Sequence, residues 1–205
     1  MNISKKKFVY LISPNKITKD FYKDLKGLLN TNKVSFFQMR LKKYSINQKV
    51  LIGKKIKKIC RVKNVKFIIN DDPWLAKILN ADGCHLGQKD VSIGKARKII
   101  GGKKIIGITC HNSIKLVKNA IKSKANYLAL GAFFSTRTKK TKFHATNKNL
   151  KEVKKLTNIP IVAIGGINSQ NYKNLLLNKA DFLAISGYIW KNKKYKPIDA
   201  IEKIK

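Results

Sequence analysis

Short apolar runs alternate with longer amphipathic ones along the whole chain. Eight segments read as strands: Phe8–Ser13, Ser35–Arg40, Phe67–Asn70, Cys84–Leu86, Ile105–Thr109, Tyr127–Gly131, Ile161–Ile164 and Phe182–Ser186. Several, such as YLALGAFF and IPIVAIGG, are apolar at nearly every position. A strand that alternates apolar and polar residues has one wet face, whereas a continuous apolar run needs cover on both faces, as in a parallel sheet flanked by helices. Between these runs the period lengthens. Ile46–Arg61 repeats apolar residues at Val50, Leu51, Ile56 and Ile59–Cys60, which lines one side of a helix. Ser113–Ser123 sets Ile114, Val117 and Ile121 on one face, with Asn112 or Ser113 as its cap, and Ser169–Asn178 begins at a cap on Asn168 or Ser169. Pro73 and Pro197 each suit a first helical turn.

Eight strands alternating with helices predict an α/β fold, a single (β/α)8 TIM barrel spanning residues 1–205. A doubly wound open sheet is the alternative, but no GxGxxG follows the first strand. No repeat, linker or low-complexity segment divides the chain. A barrel places its chemistry at the C-terminal ends of the strands. Polar residues collect there: Gln38 and Arg40, Asn70 and Asp71, Asp90, Thr109, Thr136–Lys139, Gly165–Gly166 and Ser186.

Charge sharpens this picture. Of 205 residues, 46 are Lys or Arg and only 10 are Asp or Glu. Four of those 10 acids, Asp71, Asp72, Asp82 and Asp90, lie within Phe67–Asp90. Carboxylates kept together in a chain otherwise short of them suggest a hard cation such as Mg2+, whose protein ligands are oxygens. Asp71 and Asp90 follow adjacent strands and would be neighbours on the rim. Asp72, directly before Pro73, suits a helix cap, and Asp82 a turn. The net charge of +36 raises a nucleic-acid-binding reading. The lysines are scattered, however, with no aromatic-interleaved basic module, and abundant Ile and Asn fit compositional drift. The charge can still draw in an anionic substrate.

Three further strings carry candidate chemistry. In an extended QMRLK, residues Gln38, Arg40 and Lys42 share a face, and two cations with an amide can hold a polyphosphate. Thr136 and Thr138 with Lys139 form an oxyanion patch; such a string is more commonly a polar surface loop. Glycines at Gly165–Gly166, and Ser186 before Gly187, let main-chain N–H groups approach a phosphate. His85 and His111 lie near strand ends, where a ligand contact and a structural role stay equally open. The three cysteines lack CxxC spacing and read as reduced core residues. No apolar run reaches the roughly 18 residues of a membrane helix and no cleavable leader is recognisable, so a cytoplasmic protein is expected.

Together the ordered strings QxRxK, NDD, ADGxHLGQxD, TxTK, GGI and a last strand ending in Ser resemble the thiamine-phosphate synthase family. The resemblance covers almost the whole chain. It implies a Mg2+-assisted transferase of small molecules, which joins a hydroxymethylpyrimidine diphosphate to a thiazole phosphate and releases pyrophosphate. It implies that Gln38, Met39, Arg40, Leu41, Lys42, Asn70, Thr109 and Lys139 bind the pyrimidine diphosphate, with Arg40, Lys42 and Lys139 catalytic. Asp71 and Asp90 become the metal ligands, and Thr136, Arg137, Thr138, Gly166, Ile185 and Ser186 take the thiazole phosphate. Departures are Leu41 where an acid is common, Thr109 where Ser is common, and SGYIW after the last strand. A thiazole tautomerase of the same fold is the nearest rival, though it has no diphosphate for Gln38, Arg40, Lys42 and Lys139 to hold. The stretch from Lys139 to Asn147 is polar enough to be a loop that closes over substrates. A homo-oligomer is compatible with the sequence, which does not specify one. The preferred form of the thiazole is likewise not encoded legibly.

Overall fold

The computed structural model describes residues 7–135 and 143–205. Its strands are β1 (Val9–Ile12), β2 (Val34–Met39), β3 (Lys66–Asn70), β4 (Gly83–Leu86), β5 (Ile105–His111), β6 (Tyr127–Gly131), β7 (Ile161–Ile164) and β8 (Phe182–Ile185). Each pairs in parallel with the next, and β8 pairs with β1, so the sheet closes into a barrel. The helices are α1 (Phe21–Asn30), α2 (Ile46–Val62), α3 (Pro73–Ile78), α4 (Ile93–Ile100), α5 (Ile114–Lys122), α6 (Asn147–Leu156), α7 (Tyr172–Leu177), α8 (Gly187–Trp190) and α9 (Pro197–Glu202). The TIM-barrel expectation holds, and the continuous apolar runs have the reason anticipated. Alternate residues of each strand face either the barrel interior or the helix layer, and both are dry.

These two faces form two cores. Val9, Leu11, Phe37, Phe67, Ile69, Cys84 and Leu128 turn outward against the helices. Tyr10, Ile12, Tyr127, Ala129, Val162 and Ala184 turn inward, with Phe36 and Phe182 among them. The inner layer is aromatic low in the barrel, where Tyr10, Phe36 and Tyr127 pack with ring centroids 5.3–6.0 Å apart. Towards the rim it gives way to small and polar side chains, which leaves the mouth open.

Caps set the loops at that mouth. Ser45 and Gln48 form a reciprocal capping box at the start of α2. Asp72 accepts the Leu75 N–H at 2.9 Å ahead of Pro73, as expected for a cap. Ser92 and Ser113 do the same for α4 and α5. Each cap is worth about 1 kcal/mol and fixes where a rim loop ends. One expected cap moves: α7 starts at Tyr172, not near Ser169. Asn168 instead closes a turn, accepting the Gln170 N–H at 2.8 Å while Asn171 accepts the Asn168 N–H at 2.9 Å. Asn side chains compete well for main-chain donors, and that competition delays the helix. No described helix is long and apolar enough to cross a membrane.

Candidate active site

The ends of β2 and β3 meet through their amides. Gln38, only 3% exposed, shares a 2.6 Å hydrogen bond with Asn70. A buried amide needs a partner, and each satisfies the other. The bond uses one donor and one acceptor. Whichever way the two amides are turned, one carbonyl oxygen and one NH2 are left without a described partner.

Beyond Gln38, Arg40 is anchored by its main chain. Its N–H donates to Ser13 Oγ at 2.9 Å, and its guanidinium reaches Asn15 Oδ1 at 3.5 Å. Lys42 turns the other way, to Asp71 Oδ2 at 3.1 Å. Met39 and Leu41 alternate with these residues and are buried in the helix-side core. Both also line a cleft beside Lys42, Asn70 and Asp71. The packing also accounts for Leu41: an acid there would face apolar neighbours.

Asp71 follows β3 with φ +64°, a left-handed conformation that Asp tolerates better than most residues. Its N–H donates to the His85 carbonyl at 2.8 Å, which pulls the carboxylate across toward β4. Asp90 arrives from the other side on a tight turn. Its Oδ2 accepts the Gly87 N–H at 2.7 Å. Asp90 lies close enough to Asp71 to feel its charge. Partial burial, and then the neighbouring Asp71, push the Asp90 carboxyl above its ordinary range, against the lowering effect of the Gly87 N–H. Two carboxylates held together in this way suit a hard divalent cation whose remaining ligands come from water or substrate oxygens. No described cluster of three or more His, Cys, Asp or Glu side chains would hold a metal by itself.

Thr109, inward near the end of β5, is gripped twice. Its hydroxyl lies 2.9 Å from His85 Nε2, and its carbonyl accepts Gln88 Nε2 at 2.5 Å. A cleft of about 450 Å³ opens beside Lys42, Asn70 and Asp71, with Lys49 and Trp74 on its outer wall.

Across the mouth, Gly166 has φ +62° and sits so close to the β6–α6 loop that a Cβ would lie 2.4 Å from the Ser135 carbonyl. Only glycine fits there, because its missing side chain lets the two main chains approach closely. Ser186 Oγ donates to the Ser13 carbonyl at 3.2 Å, so Ser13 joins the Arg40 side of the mouth to the Ser186 side. Ile185 is buried against the helices. Trp190 explains part of SGYIW: its indole N–H donates to the Ile12 carbonyl at 2.7 Å and pins α8 onto β1. Thr136, Arg137, Thr138 and Lys139 lie outside the described residues, as do positions 140–142 of the stretch expected to close over substrates.

The structure thus gathers Gln38, Arg40, Lys42, Asn70, Asp71, Asp90 and Thr109 on one half of the rim, with Gly166 and Ser186 opposite. Sequence reasoning missed Ser13, Lys49, Trp74 and Gln88. Gln88 stood inside a recognised string; Lys49 was one cation among 46 Lys and Arg, with nothing to single it out.

A family model described as thiamine monophosphate synthase matches residues 9–189. The chain belongs to the thiamine-phosphate synthase family. It is 65% identical over 201 residues to the thiamine-phosphate synthase of Pelagibacter ubique, covering 98% of this chain and 97% of that one. It is 39% identical to the thiamine-phosphate synthase of Erythrobacter litoralis, covering 89% of this chain and 87% of that one. Among solved structures, thiamine phosphate pyrophosphorylase from Pyrococcus furiosus superposes with a TM-score of 0.85 at 27% identity, covering 99% of this chain and 96% of that one. The chain is accordingly an enzyme of thiamine biosynthesis and a transferase.

Proposed function

We propose that this barrel condenses 4-amino-2-methyl-5-(diphosphooxymethyl)pyrimidine with thiazole phosphate, giving thiamine phosphate and pyrophosphate. The observation that carries the reading is the meeting of three elements at one mouth: the Gln38–Asn70 amide pair, the cations Arg40 and Lys42, and the paired carboxylates Asp71 and Asp90. The amide pair offers one donor and one acceptor side by side, which matches the amino group and adjacent ring nitrogen of an aminopyrimidine. Arg40 and Lys42, with Lys139 from the β6–α6 loop, meet the diphosphate. The Lys42 side chain is 57% exposed and can swing from Asp71 to a phosphate oxygen. Asp71 and Asp90 would hold Mg2+, which supplies positive charge to the departing diphosphate. Thr136 to Thr138, the main chain at Gly166 and Ile185, and Ser186 take the thiazole phosphate.

In the reaction, the C–O bond at the exocyclic methylene breaks and its electron pair leaves with pyrophosphate. The electron-rich pyrimidine supports positive charge on that carbon. The thiazole nitrogen then uses its own lone pair to form the new C–N bond. No proton has to be removed from the nucleophile, so no Ser–His–Asp or acid–base pair is required. What the protein must supply is preorganised positive charge where the leaving group develops its negative charge. We place the reaction in the cytoplasm, in keeping with three buried, unbridged cysteines. The overall positive charge favours encounter with two anionic substrates.

The test is pyrophosphate release with both substrates, with and without Mg2+. Release that requires both substrates and the metal is expected; none under any condition rejects the reading. Product formation from thiazole alone would favour the tautomerase.

A further inference from the structure

A line of hydrogen bonds runs up the barrel axis from its floor to Thr109. Tyr10 Oη lies 2.8 Å from Tyr127 Oη. Tyr127 Oη lies 2.9 Å from His85 Nδ1, and His85 Nε2 lies 2.9 Å from Thr109 Oγ1. Tyr10, Tyr127 and His85 are 1%, 2% and 9% exposed, so the line is buried until it reaches Thr109. The sequence is built to admit it. Gly107, the inward residue of β5 beside Tyr127, leaves the space the phenol ring crosses: a Cβ there would lie 1.9 Å from Tyr127 Cζ. The His85 and Tyr127 rings stack, 5.6 Å apart and tilted by 13°.

The line has a direction, and burial decides it. Desolvation holds both phenols well above their ordinary range, so each carries its proton. Tyr10 Oη has one described partner, Tyr127 Oη. If Tyr10 accepts that bond, its own O–H points into an apolar layer of Phe36, Val162 and Ala184 with nothing to receive it. An orphaned buried donor costs about 1–3 kcal/mol. Tyr10 therefore donates to Tyr127. The Tyr127 O–H must then go to His85 Nδ1, which requires that nitrogen to be unprotonated. His85 is neutral in that arrangement, with its proton on Nε2, and it donates to Thr109 Oγ1. The hydroxyl of Thr109 is left to donate, and it sits at the mouth.

We infer that Tyr10, Tyr127 and His85 are positioning residues that fix Thr109 as a hydrogen-bond donor toward an acceptor atom of the pyrimidine diphosphate. The reverse polarity would make Thr109 an acceptor and would suit an amino group instead. Gln88 adds to the constraint by holding the Thr109 carbonyl. The inference rests on the proposed reaction for the identity of the ligand, and on packing alone for the polarity.

The polarity can be read without turnover. The chain has three histidines, so 15N-labelled full-length protein gives three resolvable imidazoles by two-bond nitrogen–proton correlation at pH 7.5. His85→Gln identifies the His85 pair by its disappearance. The expected pattern is a neutral ring with the proton on Nε2, kept in Tyr10→Phe and no longer exclusive in Tyr127→Phe. A proton on Nδ1, or a doubly protonated ring, overturns the inference. In steady state, Tyr127→Phe should raise KM for the pyrimidine diphosphate on the order of tenfold, the factor carried by one ordinary hydrogen bond. KM for the thiazole phosphate should not move. His85→Gln, whose amide can donate from the Nε2 position, should retain more of the affinity than His85→Leu. Equal losses in both His85 variants, or an unchanged KM in Tyr127→Phe, would overturn it. Competition by the pyrimidine alcohol and by pyrophosphate, compared between wild type and Thr109→Val, shows whether the acceptor is a ring nitrogen or a phosphate oxygen; no weakening of either overturns the donor role. A wild-type protein that releases no pyrophosphate defeats the proposed reaction and leaves the tautomer measurement standing by itself.

Discussion

Gly107→Ala should have a large effect for a single added methyl group. The added Cβ would lie 1.9, 2.2 and 2.3 Å from three carbons of the Tyr127 ring, where ordinary contact begins near 3.4 Å. The ring would have to move by about 1.5 Å to restore contact distance. It has nowhere to go: Tyr10, Phe36 and His85 pack around it with ring centroids 5.6–6.0 Å away. A displacement of that size also breaks the bonds to Tyr10 and His85, now 2.8 and 2.9 Å long. Overpacking costs about 1–3 kcal/mol, and orphaning a buried hydroxyl about 1–3 kcal/mol more. The sum, roughly 2–6 kcal/mol, is a large share of the 5–15 kcal/mol typical of a domain. Urea unfolding at 25 °C measures it. With m near 1–3 kcal/mol/M the midpoint should fall by about 1 M or more. Tyr127→Ala vacates the space, so the double variant should be more stable than the sum of the two single losses by about 1–3 kcal/mol. A Gly107→Ala midpoint within roughly 0.3 M of wild type, or strict additivity in the double variant, would falsify the account of the barrel floor.

Asp71→Asn and Asp90→Asn should each lower pyrophosphate release by at least about 100-fold. Their urea midpoints should stay level or rise, because a like-charge contact disappears; an unchanged rate in both removes them from the site. Arg97 donates to the Gly102, Lys104 and Lys124 carbonyls and to Asn126 Oδ1 at the barrel floor. Arg97→Met should cost about 2–3 kcal/mol in urea unfolding while the rate at 25 °C is retained. Burial pushes the Cys60, Cys84 and Cys110 thiols up to about 12 from 9.0. A disulfide reagent at pH 8 should therefore find no thiol in the native protein and three after unfolding. The folded state keeps protons that the unfolded chain releases, so stability should fall as pH rises from about 9 toward 12; a flat profile there contradicts the burial.

The fold was legible because barrel strands are covered on both faces, and this writes itself into the sequence as unbroken apolar runs. β6 and β7 coincide with the segments expected, and the other strands differ by a residue or two at an end. Caps were legible where one side chain and one main-chain N–H decide the matter, as at Asp72 and Ser113. The start of α7 was not, because Asn168 and Asn171 close a turn first. The rim residues were recognisable as ordered strings. Their partners were not: nothing in the order of residues says that Lys42 bridges to Asp71, or that Ser13 ties Arg40 to Ser186.

The sequence by itself determined the barrel, the family and many of the residues at its mouth, since hydrophobic period and motif order are local properties. Only the tertiary structure decided how those residues face one another. Asp71 and Asp90 are 19 positions apart and meet because adjacent parallel strands end at one level. Tyr10 and Tyr127 are separated by 117 residues and join because a closed barrel sets the first and sixth strands across a shared interior. That interior excludes water, and without water each hydroxyl has to find its partner in the protein, so packing sets the direction in which Thr109 presents its proton.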